Sequence, residues 1–184
     1  MISAPDAEGW LPGIRHAPSP NCDERPAGQP VRLIVVHAIS LPPGEFGGED
    51  IERFFANTLD TRAHPYYREI QSLRVSAHFL VRRDGEIVQF VPCGLRAWHA
   101  GASSWRGIGC CNDFSIGIEL EGSDALPFAP VQYPALARLV RTLRRVYPIE
   151  DIVGHADIAP GRKADPGPHF DWTLLRHLID RDAA

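Results

Sequence analysis

Apolar residues form short continuous runs and helical repeats in turn along the chain, which predicts strands and helices in mixed order. Residues 31–37 form a short segment rich in β-branched residues. As a strand it would be apolar on both faces, as is typical of a central strand. Residues 114–120 alternate apolar side chains with small or acidic ones and predict a strand with one apolar face. Residues 75–81 and 86–91 flank Asp84-Gly85, which suits the positive φ angles of a tight turn, and predict a hairpin.

Helical spacing marks two further segments. Apolar residues recur at helical intervals over residues 50–59 and 136–146, and the second segment carries basic residues on its other side. Asp171 is placed to cap a last helix that runs to residue 180. Residues 152–153 predict a short strand, whereas residues 93–112 and 156–169 predict long loops, which are often functional in a small domain.

The predicted fold class is α/β, because strands and helices intermix along one unrepeated chain. We expect a single domain over residues 1–184, with a central mixed β-sheet flanked by helices. Five prolines lie between Pro12 and Pro30, so residues 1–30 are expected to form an irregular N-terminal arm packed on this domain.

The composition is that of an ordinary folded protein. Hydrophobic residues make up 44% of the 184 residues and charged residues 23%, which excludes a disordered chain, a collagen-like repeat and a disulfide-rich miniprotein. The net charge of −4 argues against a general nucleic-acid binder. The longest stretch without charged residues, 125–137, is too short to span a membrane as a helix.

The N-terminus and the cysteines bear on localisation. Residues 1–10 carry two acidic side chains and show no secretory signal. The four cysteines lack Cys-x-x-Cys spacing, so we expect reduced thiols in a cytoplasmic protein. We also expect a monomer with neither a nucleic-acid nor a membrane partner.

Two histidines stand where catalytic groups of α/β proteins often lie. His37 and His155 each follow a short apolar strand, beyond which active sites commonly form. Two histidines and a carboxylate make a catalytic zinc set, with a fourth position left for water. Asp165, in a loop that can double back, is one candidate carboxylate, and Asp157 is nearer to His155 in sequence. Spacing alone does not choose between them.

Two charged residues are candidates for the chemistry itself. Glu119 points to the opposite face from Ile118 and Leu120, and a carboxylate beside a metal can take a proton from water. The plain alternative is a solvent-facing acid on a strand. Lys163 lies two residues before Asp165 and could face a developing oxyanion, or it could be an ordinary surface lysine.

Taken together, these residues resemble a known family of enzymes. The matching blocks run through almost the whole chain and include Val36-His37, His64-Pro65-Tyr66, Ala97-Trp98-His99-Ala100-Gly101, Gly117-Ile118-Glu119-Leu120-Glu121-Gly122, Gly154-His155 and Asp165-Pro166-Gly167. In this order they resemble the zinc-dependent N-acetylmuramoyl-L-alanine amidases. The similarity is greatest to the cytoplasmic branch that acts on 1,6-anhydro-N-acetylmuramyl-L-alanine peptides in peptidoglycan recycling.

The resemblance implies the sheet-and-helix fold that these amidases share with peptidoglycan recognition domains. It implies one Zn²⁺ per chain, and a muropeptide cut between anhydro-N-acetylmuramic acid and L-alanine. The implied zinc ligands are His37, His155 and Asp165, the implied catalytic residues are Glu119 and Lys163, and the implied substrate contacts are Arg74, Trp98 and the loop around Ala159.

The chain departs from the family pattern at two positions. Ala38 stands where the family commonly has asparagine, and Cys110 where some members have arginine near the substrate carboxylates. Both departures concern substrate contacts and leave the implied metal and base residues in place. The rival hypotheses are a binding module of the same fold, an exported amidase and a structural zinc domain, the last of which normally has four protein ligands.

Overall fold

Short, β-branched segments form a six-stranded mixed sheet at the centre of the protein, which a computed structural model describes over residues 2–181. In spatial order its strands are β1 (Arg15–His16), β5 (Ile87–Gln89), β4 (Phe79–Val81), β9 (Ser115–Glu121), β3 (Leu33–Ile39) and β10 (Asp151–Gly154). All neighbouring strands are parallel except the β4–β5 pair, which is antiparallel. Two small antiparallel sheets join β2 (Cys22–Glu24) to β6 (Leu95–Ala97), and β7 (Ser104–Trp105) to β8 (Ile108–Gly109).

Helices cover both faces of the central sheet. They are α1 (Asp50–Phe55), α2 (Pro65–Ile70), α3 (Gln132–Arg144), α4 (His155–Ile158) and α5 (Trp172–Asp180), with a short 3-10 turn at Cys111–Phe114. The long helices α3 and α5 belong to a core that includes Ile116, Ile118 and Leu120 of β9. Because side chains alternate along a strand, Gly117, Glu119 and Glu121 point to the opposite face. One face of β9 therefore packs into this apolar core, and the other face carries Glu119 and Glu121 beside two further apolar clusters.

The strand register brings the candidate residues to one edge of the sheet. His37 near the end of β3 lies directly opposite Glu119 of β9, and β10 pairs with β3 on its other side. The first residue of α4, His155, follows β10 without a connecting loop. Since β3, β9 and β10 are parallel, their C-terminal ends meet at the same edge, where ligand sites of such sheets form.

The predicted fold class, an α/β domain with a mixed sheet and flanking helices, is confirmed. Asp171 caps α5 as predicted, since its Oδ1 accepts from the backbone N–H of Leu174 at 2.8 Å. The helix predicted over 50–59 ends earlier, at Phe55, because Asn57 adopts the left-handed conformation at φ 61°. Such a residue closes a helix.

Several short elements were not predicted. The expected loop over 93–112 contains the β7–β8 hairpin, whose central residues Arg106 and Gly107 have φ angles of 49° and 81°. Two positive φ angles define a tight hairpin turn in which Asn or Asp is the usual first residue, so Arg106 hides the signal. The N-terminal arm over 1–30 contributes two short strands, β1 and β2, and α4 occupies the start of the loop expected at 156–169. Among residues 2–181, no helix has the length and apolar character needed to cross a membrane.

Candidate active site

Three side chains from distant parts of the chain meet at the C-terminal edge of the sheet. His37 Nδ1 lies 3.0 Å from His155 Nδ1 and 3.2 Å from Asp165 Oδ2, and His155 Nδ1 lies 3.1 Å from the same oxygen. Both imidazoles are buried, and the carboxylate is partly buried. The three atoms form a nearly equilateral triangle, which is how the protein ligands of one tetrahedral cation are arranged.

The structure brings Asp165, and not Asp157, to the two histidines. Asp157 faces the other way, because its Oδ2 accepts from the backbone N–H of Gly154 at 2.7 Å and caps α4. The Asp165 loop doubles back instead, and its backbone carbonyl accepts from Ala156 N–H at 2.9 Å. This return contact places the carboxylate ten residues along the chain beside His155.

The donor set fits a divalent cation such as zinc. Burial lowers the pKa of His37 to about 4, so its imidazole is neutral at physiological pH. His155 Nε2 lies 3.2 Å from the carbonyl oxygen of Ala100. A carbonyl only accepts, so the hydrogen of neutral His155 lies on Nε2 and its Nδ1 presents a lone pair. With that hydrogen on Nε2, no hydrogen lies between His155 Nδ1 and the carboxylate oxygen of Asp165. Two such lone pairs repel each other, and a cation bound to both atoms would remove the repulsion.

Glu119 is the second reactive feature of this edge. Its side chain is buried beside His37, and its Oε2 has no hydrogen-bond partner among the described residues. Burial raises the pKa of Glu119 well above its ordinary value, nearby Asp165 raises it further, and Lys163 opposes them. A buried carboxyl group with a raised pKa therefore lines the site, as is common for groups that exchange protons in catalysis.

These residues lie in a cleft with a volume of about 430 Å³. Lys163 lines the cleft, and it is held there by a turn in which the Ala159 carbonyl accepts from the Arg162 and Lys163 N–H groups. The opposite wall is largely apolar and comes from α1, α2 and the segment after them, with Phe54, Phe55, Tyr66, Ile70, Leu73 and Val75. A polar catalytic edge thus faces an apolar wall across a space large enough for a small organic ligand.

The residues expected to contact substrate lie farther out. Arg74 is exposed, and its guanidinium donates to the carbonyls of Gln71 and Leu73 beside a neighbouring shallow pocket. Trp98 is half-buried, and its indole N–H donates to Asp23 at 3.0 Å. Ala159 is buried at the end of α4. The structure does not bring these three side chains into the cleft, and their contact with substrate stays a prediction.

The two departures from the family pattern occupy different places. Ala38 lines the cleft beside His37, whereas Cys110 is exposed and adopts a left-handed conformation at φ 57°. His99 is a buried residue that the sequence analysis did not single out, and its Nδ1 lies 2.9 Å from His37 Nε2. The signal for His99 in the sequence was its place in the block Ala97-Trp98-His99-Ala100-Gly101, which carries the resemblance to the family.

Comparison with known proteins gives one consistent family. The family model described as N-acetylmuramoyl-L-alanine amidase matches residues 27–168. A relative in Escherichia coli strain K12, the 1,6-anhydro-N-acetylmuramyl-L-alanine amidase AmpD, is 55% identical over 177 residues, which cover 95% of this chain and 97% of that protein.

Solved structures agree with the sequence relatives. The crystal structure of a selenomethionine derivative of AmpD superposes with a TM-score of 0.92 at 56% identity, covering 95% of this chain and 98% of that one. The amidase AmiD from E. coli, in complex with the substrate anhydro-N-acetylmuramic acid-L-Ala-D-γ-Glu-L-Lys, is 32% identical with a TM-score of 0.59. That match covers 96% of this chain and 65% of AmiD.

The buried Glu119 carboxyl should make the metal-free protein less stable as the pH rises. Its pKa is higher in the folded than in the unfolded chain, so between these two values only the folded protein keeps the proton, and stability falls as pH increases. The Glu119→Gln variant has no titratable carboxyl group at this position, so it does not lose this stability as the pH rises. Urea unfolding should therefore show the variant gaining stability over the wild type from about pH 5 to about pH 8.

The exposed Glu69→Gln change on α2 is the control, because it should leave the free energy of unfolding unchanged at both pH values. If the free energy of unfolding of Glu119→Gln differed from that of the wild type by the same amount across this pH range, a raised pKa for Glu119 would be contradicted.

Proposed function

The chain belongs to the N-acetylmuramoyl-L-alanine amidases of the kind that acts on 1,6-anhydro-N-acetylmuramyl-L-alanine in peptidoglycan recycling, and we propose that it performs this hydrolysis with one zinc ion held by His37, His155 and Asp165. The observation that carries the proposal is the triangle of ligand atoms, 3.0–3.2 Å apart, in the same cleft as an unpartnered glutamate oxygen. When bound, zinc supplies a Lewis acid that activates water and polarises a carbonyl group.

Glu119 is the proposed general base and acid. Its Oε2 is free to accept a proton from the attacking water, because no other described residue occupies that atom. Its raised pKa means that Glu119 holds a proton more strongly than an ordinary carboxylate, and the same group can then protonate the nitrogen of the leaving L-alanine. One carboxyl group thereby serves both proton transfers of amide hydrolysis.

Lys163 is proposed to stabilise negative charge on the substrate. It lines the same cleft as Glu119 and stands on the loop that also supplies Asp165. A fixed positive charge at that rim lowers the energy of the oxyanion that forms when water adds to the amide carbonyl, an effect worth about 3 kcal/mol in comparable sites.

The substrate is proposed to be a small soluble muropeptide. The AmiD complex contains an anhydromuramyl peptide, and the apolar wall opposite the ligand triangle suits the less polar parts of such a molecule. Arg74, Trp98 and the loop around Ala159 are proposed to contact it. For Arg74 and Trp98, this requires movement from the contacts they make in the free protein.

Further proposals concern the state of the protein. We propose a monomer that binds neither nucleic acid nor membranes and works in the cytoplasm, which is supported by the net charge of −4 and by four unpaired cysteines. A pure binding module would have no use for Glu119 and Lys163 beside the ligand triangle, and a structural zinc site would use a fourth protein ligand.

Hydrolysis should depend on the metal. Purified protein incubated with 1,6-anhydro-N-acetylmuramyl tripeptide should release free tripeptide by mass spectrometry. The release should stop after chelation and return when zinc is added, because His37, His155 and Asp165 are the proposed ligands of the activating cation. Unchanged release after complete removal of metal would contradict zinc catalysis. Intact substrate in the presence of bound zinc would favour a binding module.

The carboxylate ligand is tested by a matched pair of variants. Asp165→Ala should lose stoichiometric zinc, measured by metal analysis after dialysis, because one corner of the triangle is removed. Asp157→Ala should keep zinc and lose about 1 kcal/mol of stability, since it removes only the cap of α4. The reverse outcome, with zinc lost only from Asp157→Ala, would reassign the ligand.

The role of Glu119 is tested by turnover at full zinc occupancy. Glu119→Gln preserves the size of the side chain but cannot take a proton, so kcat should fall by about 10²- to 10⁴-fold while zinc stays bound. Glu69→Gln again serves as the control. Wild-type turnover of the zinc-loaded Glu119→Gln variant would show that another group is the base.

A further inference from the structure

A line of buried hydrogen bonds runs from His37 through His99 to Ser115. His37 Nε2 lies 2.9 Å from His99 Nδ1, and His99 Nε2 lies 3.1 Å from Ser115 Oγ. Ser115 Oγ is in turn 2.5 Å from the carbonyl oxygen of Cys111. The three side chains are 9% exposed or less, so water does not compete for these bonds.

Only one arrangement of hydrogens satisfies this line when both imidazoles are neutral. The Cys111 carbonyl can only accept, so Ser115 gives it the single hydroxyl hydrogen and must accept from His99 Nε2. Neutral His99 then has a bare Nδ1, which accepts from His37 Nε2. The remaining nitrogen of His37, Nδ1, therefore presents its lone pair to His155 and Asp165.

A competing arrangement exists at the other end of the line. His37 Nδ1 lies 3.2 Å from Asp165 Oδ2, so a hydrogen on Nδ1 would make a good bond to that carboxylate. With the hydrogen there, Nδ1 has no lone pair to offer a metal. His99 and Asp165 thus compete for the one hydrogen of His37, and the winner decides whether His37 is a ligand.

The sheet is shaped to hold the His99 ring in this place. A Cβ atom at Gly117 would come within 2.4 Å of the ring, so only glycine leaves room for it on β9. The backbone of the His99 segment is fixed by Asn112, whose Oδ1 accepts from the N–H groups of His99 at 3.1 Å and Ala100 at 2.8 Å. The ring is therefore held by packing as well as by hydrogen bonds.

We propose that His99 is a positioning residue that directs Nδ1 of His37 to the metal by accepting the hydrogen on Nε2. Ser115 fixes which way the hydrogen bonds point, because it accepts from His99 Nε2 and leaves His99 Nδ1 as the acceptor. The inference rests on the proposed function, because it assigns a role in binding the zinc ion. His99 is not one of the three candidate ligands. Its effect is to keep the hydrogen of His37 off the ligand atom.

Zinc affinity of two isosteric variants tests the proposal. His99→Asn keeps a hydrogen-bond acceptor near the position of Nδ1. His99→Leu gives a side chain of the same shape as asparagine, but with no acceptor. In a competition titration of the whole protein against a zinc chelator, His99→Leu should bind zinc about 10- to 100-fold more weakly than the wild type. His99→Asn should recover most of that loss, which simple filling of space would not explain.

The hydrogen itself is visible in the metal-free protein by NMR. Long-range ¹H–¹⁵N spectra of the histidine rings should place the hydrogen of His37 on Nε2 in the wild type and on Nδ1 in His99→Leu. Ser115→Ala leaves the His99 ring in place and should shift the same hydrogen partly toward Nδ1, so it tests the line even if His99→Leu does not fold.

The outcomes separate the two proposals. Zinc affinity of His99→Leu or Ser115→Ala equal to wild type, with the hydrogen still on Nε2, would overturn the role of His99. A wild-type protein that binds no zinc would instead contradict the proposed function, and the NMR experiment would still decide where His99 places the hydrogen.

Discussion

The parallel pairing of β3 with β9 determines where the reactive groups of the cleft stand. Its register sets His37 opposite Glu119, so the proposed metal ligand and the proposed proton acceptor lie side by side on one face of the sheet. The β10 strand pairs with β3 on the other side and delivers His155 directly into α4. A slip of one residue between β3 and β9 would turn one of these side chains into the apolar core, because the side-chain period of a strand is two.

The two faces of the sheet contribute to stability with opposite sign. Burying neutral His37 and His99 beside an unpartnered Glu119 costs stability, because each of these groups would be better solvated in water. The opposite face offsets this cost with an apolar core built by β9, α3 and α5. Two glycines leave room for rings against this part of the sheet. The His99 ring packs on Gly117 of β9, and the Phe128 ring packs on Gly122 just after it.

The sequence was sufficient for features that depend on local pattern. His37 and His155 were predicted from apolar runs that end in a histidine, and Glu119 from the alternation of β9. The carboxylate could not be chosen by spacing, because its place depends on a loop that closes through the Asp165 carbonyl and Ala156 N–H. Arg74 and Trp98 were assigned from resemblance, and the structure places both outside the cleft lining.

His99 escaped prediction for a further physical reason: its importance lies in which nitrogen carries a hydrogen, which only the three-dimensional contacts reveal. The next residue, Ala100, supplies the carbonyl that accepts from His155 Nε2, so two consecutive residues contact the two histidines proposed as ligands.

Arg162, from the loop that also carries Asp165, donates to the same Ala100 carbonyl at 2.7 Å and to Ala102. The segment over residues 98–102 therefore contacts both candidate histidine ligands and the loop that carries Asp165. If these residues hold a metal as proposed, displacing the segment should weaken its binding.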